Sequence, residues 1–286
     1  MYQQPNAPQS IGGVLDSGFK LYRESVLRVF VLAAAASRVA APLNIAAPYF
    51  VTNGLNAEHV AELVLGVIVV WTVVSALNGA IIARIDSIAR LTPLSLSSAL
   101  AVGGRRLPAM LVCAVVMSIG GMVLAIPGAV IGAVLAPSVN AGGQAPVASV
   151  LIFFLILFVP ISIFAVWFVF GPSALIIERL GPVSCLARSF AIVRGRWWRT
   201  ALLLTMLGIL LLIVYMVLGL VTAIAAFANG SPPSNGPVPW YYHVVVTPLL
   251  SAFAVPMLYA LMLAIFYDLR LRHEGGDLAA RIAATA

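Results

Sequence analysis

Six apolar runs, each long enough to cross a bilayer, constrain what this chain can fold into. They are Leu27–Tyr49, Val60–Ala83, Ala109–Ala136, Val150–Ile177, Ala201–Ala228 and Val244–Phe266. A helix needs about 20 mostly apolar residues to span the roughly 30 Å hydrocarbon core. Runs this long, without strict alternation of apolar and polar residues, read as helices that satisfy their own backbone in lipid. The expected fold class is all-α: a polytopic integral membrane protein with six transmembrane helices, forming a single domain over residues 1–286. Only 9% of the residues are charged, against about 25% in a soluble domain. That is too few to cover a water-facing surface.

The connectors alternate in charge. Asn53–His59, Pro137–Ala148 and Asn229–His243 hold neither Lys nor Arg and are rich in turn residues. The segments between them carry Lys20, Arg23 and Arg28; Arg84, Arg90, Arg105 and Arg106; Arg179, Arg188, Arg194, Arg196 and Arg199; and Arg270, Arg272 and Arg281. Positively charged loops stay inside, so both termini are expected in the cytoplasm. Trp197 and Trp198 at one interface, and Trp240, Tyr241 and Tyr242 at the other, fit the aromatic belts. Met1–Ser10 lacks the pattern of a cleavable signal, so the first run is expected to be retained. Lys20 is the only lysine, and alanine is abundant, which points to a GC-rich bacterial genome.

Three cytoplasmic segments, about 11–25, 94–105 and 183–199, have helical apolar spacing and are expected to lie along the membrane surface before the odd-numbered spans. Ser10 precedes Lys20 by ten residues, as Ser95 precedes Arg105 and Ser184 precedes Arg194. The chain therefore reads as three repeats of surface helix, span, outer turn and span. A cytoplasmic tail, 268–286, follows, its helix expected to stop at Gly275-Gly276.

Close packing of small residues holds helices together in lipid. Ser75, Gly79 and Ala83 form such a face in span two, and Gly121, Ala125, Gly128 and Gly132 in span three. The neighbour is either in the same chain or in a second copy. Pro127, Pro160, Pro172 and Pro256 are expected to kink spans, whether structurally or around a cavity. Cys113 lies in a span and Cys185 in an Arg-rich loop, so they are expected at different depths, unbridged.

Among the candidate functional residues, Arg38 stands apart. Ten residues past Arg28, it lies about 15 Å along the helix, near the membrane midplane, where a charge is costly and usually functional. It either holds an anionic headgroup or substrate, with Asn78 as a neighbour, or snorkels to the interface from a span that starts later. Lys20, Arg105, Arg106, Arg188, Arg194, Arg196 and Arg199 are the expected contacts for anionic phospholipids. Glu58, His59, Glu62 and His243 are weak candidates for a metal, and an acidic helix start explains the first three equally well. No phosphate loop, hydrolase triad or zinc signature occurs, and no cofactor is expected. The net charge of +7 is spread over short loops beside apolar runs, which favours the lipid bilayer over nucleic acid as partner.

The segment Leu186-Ala187-Arg188-Ser189-Phe190-Ala191-Ile192-Val193-Arg194-Gly195-Arg196-Trp197-Trp198-Arg199 resembles the cytoplasmic signature of the membrane domain attached to some glycerophosphoryl diester phosphodiesterases. The stretch from Tyr267 to Asp277 is similar to that family's closing motif. The resemblance implies a six-span membrane part without the catalytic barrel that does the chemistry in two-part members, so phosphodiesterase activity is not carried over. The expected function is a non-enzymatic inner-membrane scaffold that organises a protein partner or further copies of itself and contacts anionic lipid. The alternative is a transporter or lipid-handling protein with its anion site at Arg38.

Overall fold

The computed structural model describes residues 2, 4–53, 57–140, 147–228 and 245–285. Among these the protein is all helical. Its elements are α1 (Ile11–Asn53), α2 (Ala57–Ala89), α3 (Leu96–Asn140), α4 (Val147–Phe168), α5 (Gly171–Ile177), α6 (Pro182–Val193), α7 (Trp197–Ala228) and α8 (Thr247–Thr285). Six stretches are long and apolar enough to cross a membrane: one each in α1, α2, α3, α7 and α8, and one running from α4 into α5.

Chain neighbours pack together, α1 on α2, α2 on α3, α3 on α4 and α7 on α8, while α4 meets α7. The most extensive contact joins the first helix to the last, α1 to α8. Gly18 makes this approach close, since a Cβ there would lie 2.6 Å from Leu261 Cδ2. Gly103 does the same for α2 and α3: its Cβ would fall 2.2 Å from the Ala76 carbonyl oxygen. The small residues of α3 meet the same chain. Gly128 lies against Leu157 and Gly132 against Phe153, both on α4, whereas Gly121 faces open space and Gly120 abuts Phe164 instead.

Several expectations are corrected. The surface segments 11–25 and 94–105 are not separate helices but run unbroken into α1 and α3. Only the third becomes a helix of its own, α6, which turns into α7 through Gly195 at φ +81°. It buries Cys185, Leu186, Ser189, Ile192 and Val193 against the protein. Ser10 and Ser95 cap their helices alike, accepting the N–H of Gly13 at 3.2 Å and of Ser98 at 3.2 Å. Ser184 does not share this role, because α6 starts at Pro182 with Gly181 as its cap. The fourth apolar run breaks after Phe168, where Pro172 lacks an N–H and its ring excludes the carbonyl four residues back. The Gly275-Gly276 pair does not end α8, which continues to Thr285. Nor do the cysteines lie apart. Both are buried and unbridged, and the Cys185 thiol donates to Cys113 Sγ at 3.5 Å, joining α6 to α3.

Candidate functional site

Among the described side chains, Asp16, Glu24, Asp86, Glu178, Asp268 and Glu274 lie at the end of the bundle that also gathers the arginines, and there they organise it. Asp268 of α8, 3% exposed, is the hub. Its carboxylate accepts Arg199 at 3.0 Å, Arg272 at 3.0 Å and the Gln9 N–H at 2.8 Å. The Gln9 carbonyl in turn accepts from Arg199 at 2.7 Å and Arg272 at 2.5 Å. Ser17 holds the Gln9 side chain at 2.9 Å, and the Tyr2 N–H donates to Glu24. The segment ahead of α1 is thereby fastened to α7 and α8. Such a carboxylate tolerates burial because both of its oxygens meet donors, Oδ1 the Gln9 amide and Oδ2 the two guanidinium groups.

A second cluster joins α6 to α8 around Glu274. Arg188 pairs with Glu178 at 2.8 Å and Glu274 at 2.9 Å, and Arg270 reaches the same two carboxylates. Its hydrogen bond to Glu178 holds the Arg188 guanidinium above its ordinary pKa. Arg196 donates to the Arg272 carbonyl at 2.8 Å. The two stretches that carry the family resemblance, 186–199 and 267–277, thus bind each other. In a third cluster, Asp86 accepts Arg90 at 3.0 Å and the Tyr267 hydroxyl at 2.6 Å. Burial pulls the Arg90 pKa down, and the hydrogen bond and charge of Asp86 more than offset it.

Beside Asp86 lies a cavity of about 520 Å³. Its walls are the last turns of α2, the connector 90–95, the first turns of α3 and the residues closing α5. Ser87 pins the connector by accepting the Leu94 N–H at 3.1 Å, and its own carbonyl accepts the Thr92 N–H at 2.9 Å. Arg106 donates to the Arg179 carbonyl at 3.3 Å. Leu91 and Arg179, at φ 59° and 56°, take left-handed conformations that cost a non-glycine residue about 1 kcal/mol or more.

The structure does not bring Arg38 and Asn78 into one cavity. Arg38 sits on the exposed side of α1 and lines a hollow of about 600 Å³ with Phe30, Val31, Val245, Pro248 and Leu249, where it is the one charged residue among those described. Asn78 lines another hollow, about 380 Å³, with Trp71, Ser75, Cys113 and Tyr259. Of the arginines expected at lipid, Arg188 and Arg199 spend their guanidinium groups on this chain's own carboxylates. Lys20 pairs with Asp16 on an exposed face at 2.7 Å, and Arg194 is exposed. Arg105 and Arg106 line the cavity beside Asp86. Glu62 is exposed, while His243 and the side chains of Glu58 and His59 lie outside the described residues.

No family model, curated protein or solved structure compared with this chain matches it. The resemblance to the phosphodiesterase membrane domain therefore stands on its two short motifs and the number of spans.

Sequence reasoning missed Asp86, Glu178, Gln9 and Asp268. A signal was present: every acidic residue except Glu58 and Glu62 falls in an Arg-bearing segment or at its edge. Acidic residues placed that way are partners for the arginines.

Proposed function

We propose that this chain is a non-enzymatic module of the bacterial inner membrane that presents a rigid charged platform at the cytoplasmic surface. There it contacts anionic phospholipid and gathers a protein partner, working as a scaffold without a cofactor. The observation that carries this reading is the interlocked set of ion pairs around Asp268, Glu178 and Glu274. They commit carboxylates to structure and fasten the segment before α1, α6, α7 and α8 into one surface. Trp198, 82% exposed at that end, offers the amphipathic ring favoured at interfaces. The motifs that resemble the phosphodiesterase membrane domain form part of the same surface, which suits a module that positions something else's chemistry.

The test is a photo-crosslinking amino acid placed at Trp198 and irradiated in intact cells. One dominant protein adduct is expected. Adducts to lipid alone, together with saturable anion uptake into proteoliposomes that Arg38→Leu abolishes, would replace the scaffold with the transporter.

A further inference from the structure

The ion pairs at the charged end leave one cavity where cations outnumber their partners. Arg90, Arg105, Arg106 and Arg179 line it, facing a single carboxylate, Asp86. Asp86 is already engaged by Arg90 and by the Tyr267 hydroxyl. Arg105, Arg106 and Arg179 form no ion pair among the described residues. The four come from three segments that the fold draws together. The close approach of Gly103 to Ala76 carries Arg105 and Arg106 alongside the end of α2, and the Arg106 bond to the Arg179 carbonyl holds the fourth in place.

We propose that this cavity binds a phosphate group. Like charges repel at short range, so guanidinium groups converging on one hollow favour an anion between them. The planar fork of arginine matches phosphate oxygens two at a time, and a tetrahedral anion accepts forks from several sides at once. Ser87 and the Arg106 bond fix the backbone of the connector and of Arg179 before any ligand arrives, so the ordering cost falls on the arginine side chains. At about 520 Å³ the cavity falls within the roughly 300–1,000 Å³ of small-molecule sites. It has room for more than the phosphate alone. Ala83, Val102 and Ile176 give it an apolar side for the remainder of the ligand. That remainder is either a lipid's glycerol backbone or a small soluble organic group. The proposal rests on the platform reading only in taking this end to face anionic headgroups.

The test uses the purified full chain in a nonionic detergent. Native mass spectrometry and thermal unfolding follow the binding of dioctanoyl phosphatidic acid, with inorganic phosphate as the second probe. Wild type is set beside Arg105→Gln, the pair Arg105→Gln with Arg179→Gln, and Arg23→Gln, an exposed arginine outside the cavity. Wild type should bind one dioctanoyl phosphatidic acid, and the pair should bind it about ten-fold more weakly or worse, as lost charge-assisted hydrogen bonds require. Arg23→Gln should match wild type. Protection by inorganic phosphate, lost in the pair, supports the site and assigns it to a soluble phosphate. Protection by the lipid alone supports the site and assigns it to a headgroup. Undiminished binding by a folded pair overturns it. If the pair fails to fold, Arg105→Gln decides by the same comparison. A phosphate site without a crosslinked partner would sink only the scaffold, and a partner without phosphate binding would sink only the site.

Discussion

In α4, 6% of the most apolar window is buried inside the chain, and in α8 the share is 67%, although α4 is the more apolar of the two. The difference lies in what each helix has to pack. Helix α4 turns large side chains outward, among them Leu151, Phe154, Leu155 and Phe158. Helix α8 sets small residues, Ser251, Ala252, Ala254, Ala260 and Ala264, among large ones and is enclosed by α1, α2, α6 and α7. Lipid is as apolar as leucine, so hydropathy does not draw a helix into the bundle there; close packing and polar ties do. An apolar surface as extensive as that of α4 has no place in water. Helix α8 also carries, beyond its apolar stretch, the carboxylates Asp268 and Glu274 that hold the charged end together, and α4 carries no charge at all.

The largest effect should come from breaking the polar tie of α8. Asp268→Ala takes the carboxylate from Arg199 and Arg272 and the acceptor from the Gln9 N–H and should cost about 3–5 kcal/mol, as loss of one partner from a buried ion pair does. Thermal unfolding in detergent reads it, and a midpoint within a degree of wild type would remove Asp268 from the centre of the fold. Phe266→Ala on the same helix, at a fully buried position, should cost a similar ~3–5 kcal/mol. Phe158→Ala on α4 should cost under about 1 kcal/mol, chiefly its stacking on Phe154. Equal losses at Phe266 and Phe158 would erase the contrast between the helices.

A smaller contrast runs along α3. Gly103→Ala forces α3 away from the Ala76 carbonyl and should destabilise by about 1–3 kcal/mol. Gly121→Ala enters open space and should leave stability unchanged or raise it by up to about 1 kcal/mol, the usual helix gain of alanine over glycine. The smallest effect concerns Cys185. Its hydrogen bond to Cys113, and then its burial, raise the thiol above its ordinary pKa, so it stays protonated and unreactive at pH 8. Iodoacetamide should label it only after unfolding; rapid labelling of the folded protein, read by mass, would show the α3–α6 contact to be open.

Much of the fold was legible in one dimension. Span number follows from local hydropathy, and helix starts near residues 11 and 94 follow from local apolar spacing. The candidate site was legible only in its ingredients. Arg105 and Arg106 were recognised as anion contacts, but nothing local indicated that Arg90 and Arg179 would join them around one cavity. Arg38 and Asn78 were paired by estimated depth along separate helices, and depth says nothing about the direction a helix faces.

The sequence by itself determined six apolar spans and a charged end, because both depend on the solvent each residue prefers. Tertiary structure decided which spans are central, that Cys113 meets Cys185, and which arginines are spent on carboxylates. Gln9 and Asp268 lie 259 residues apart, and Asp268 and Arg199 lie 69 apart. Such partners are chosen when helices pack, by where a glycine permits approach and where a buried charge finds donors, and neither is a property of any short stretch of chain.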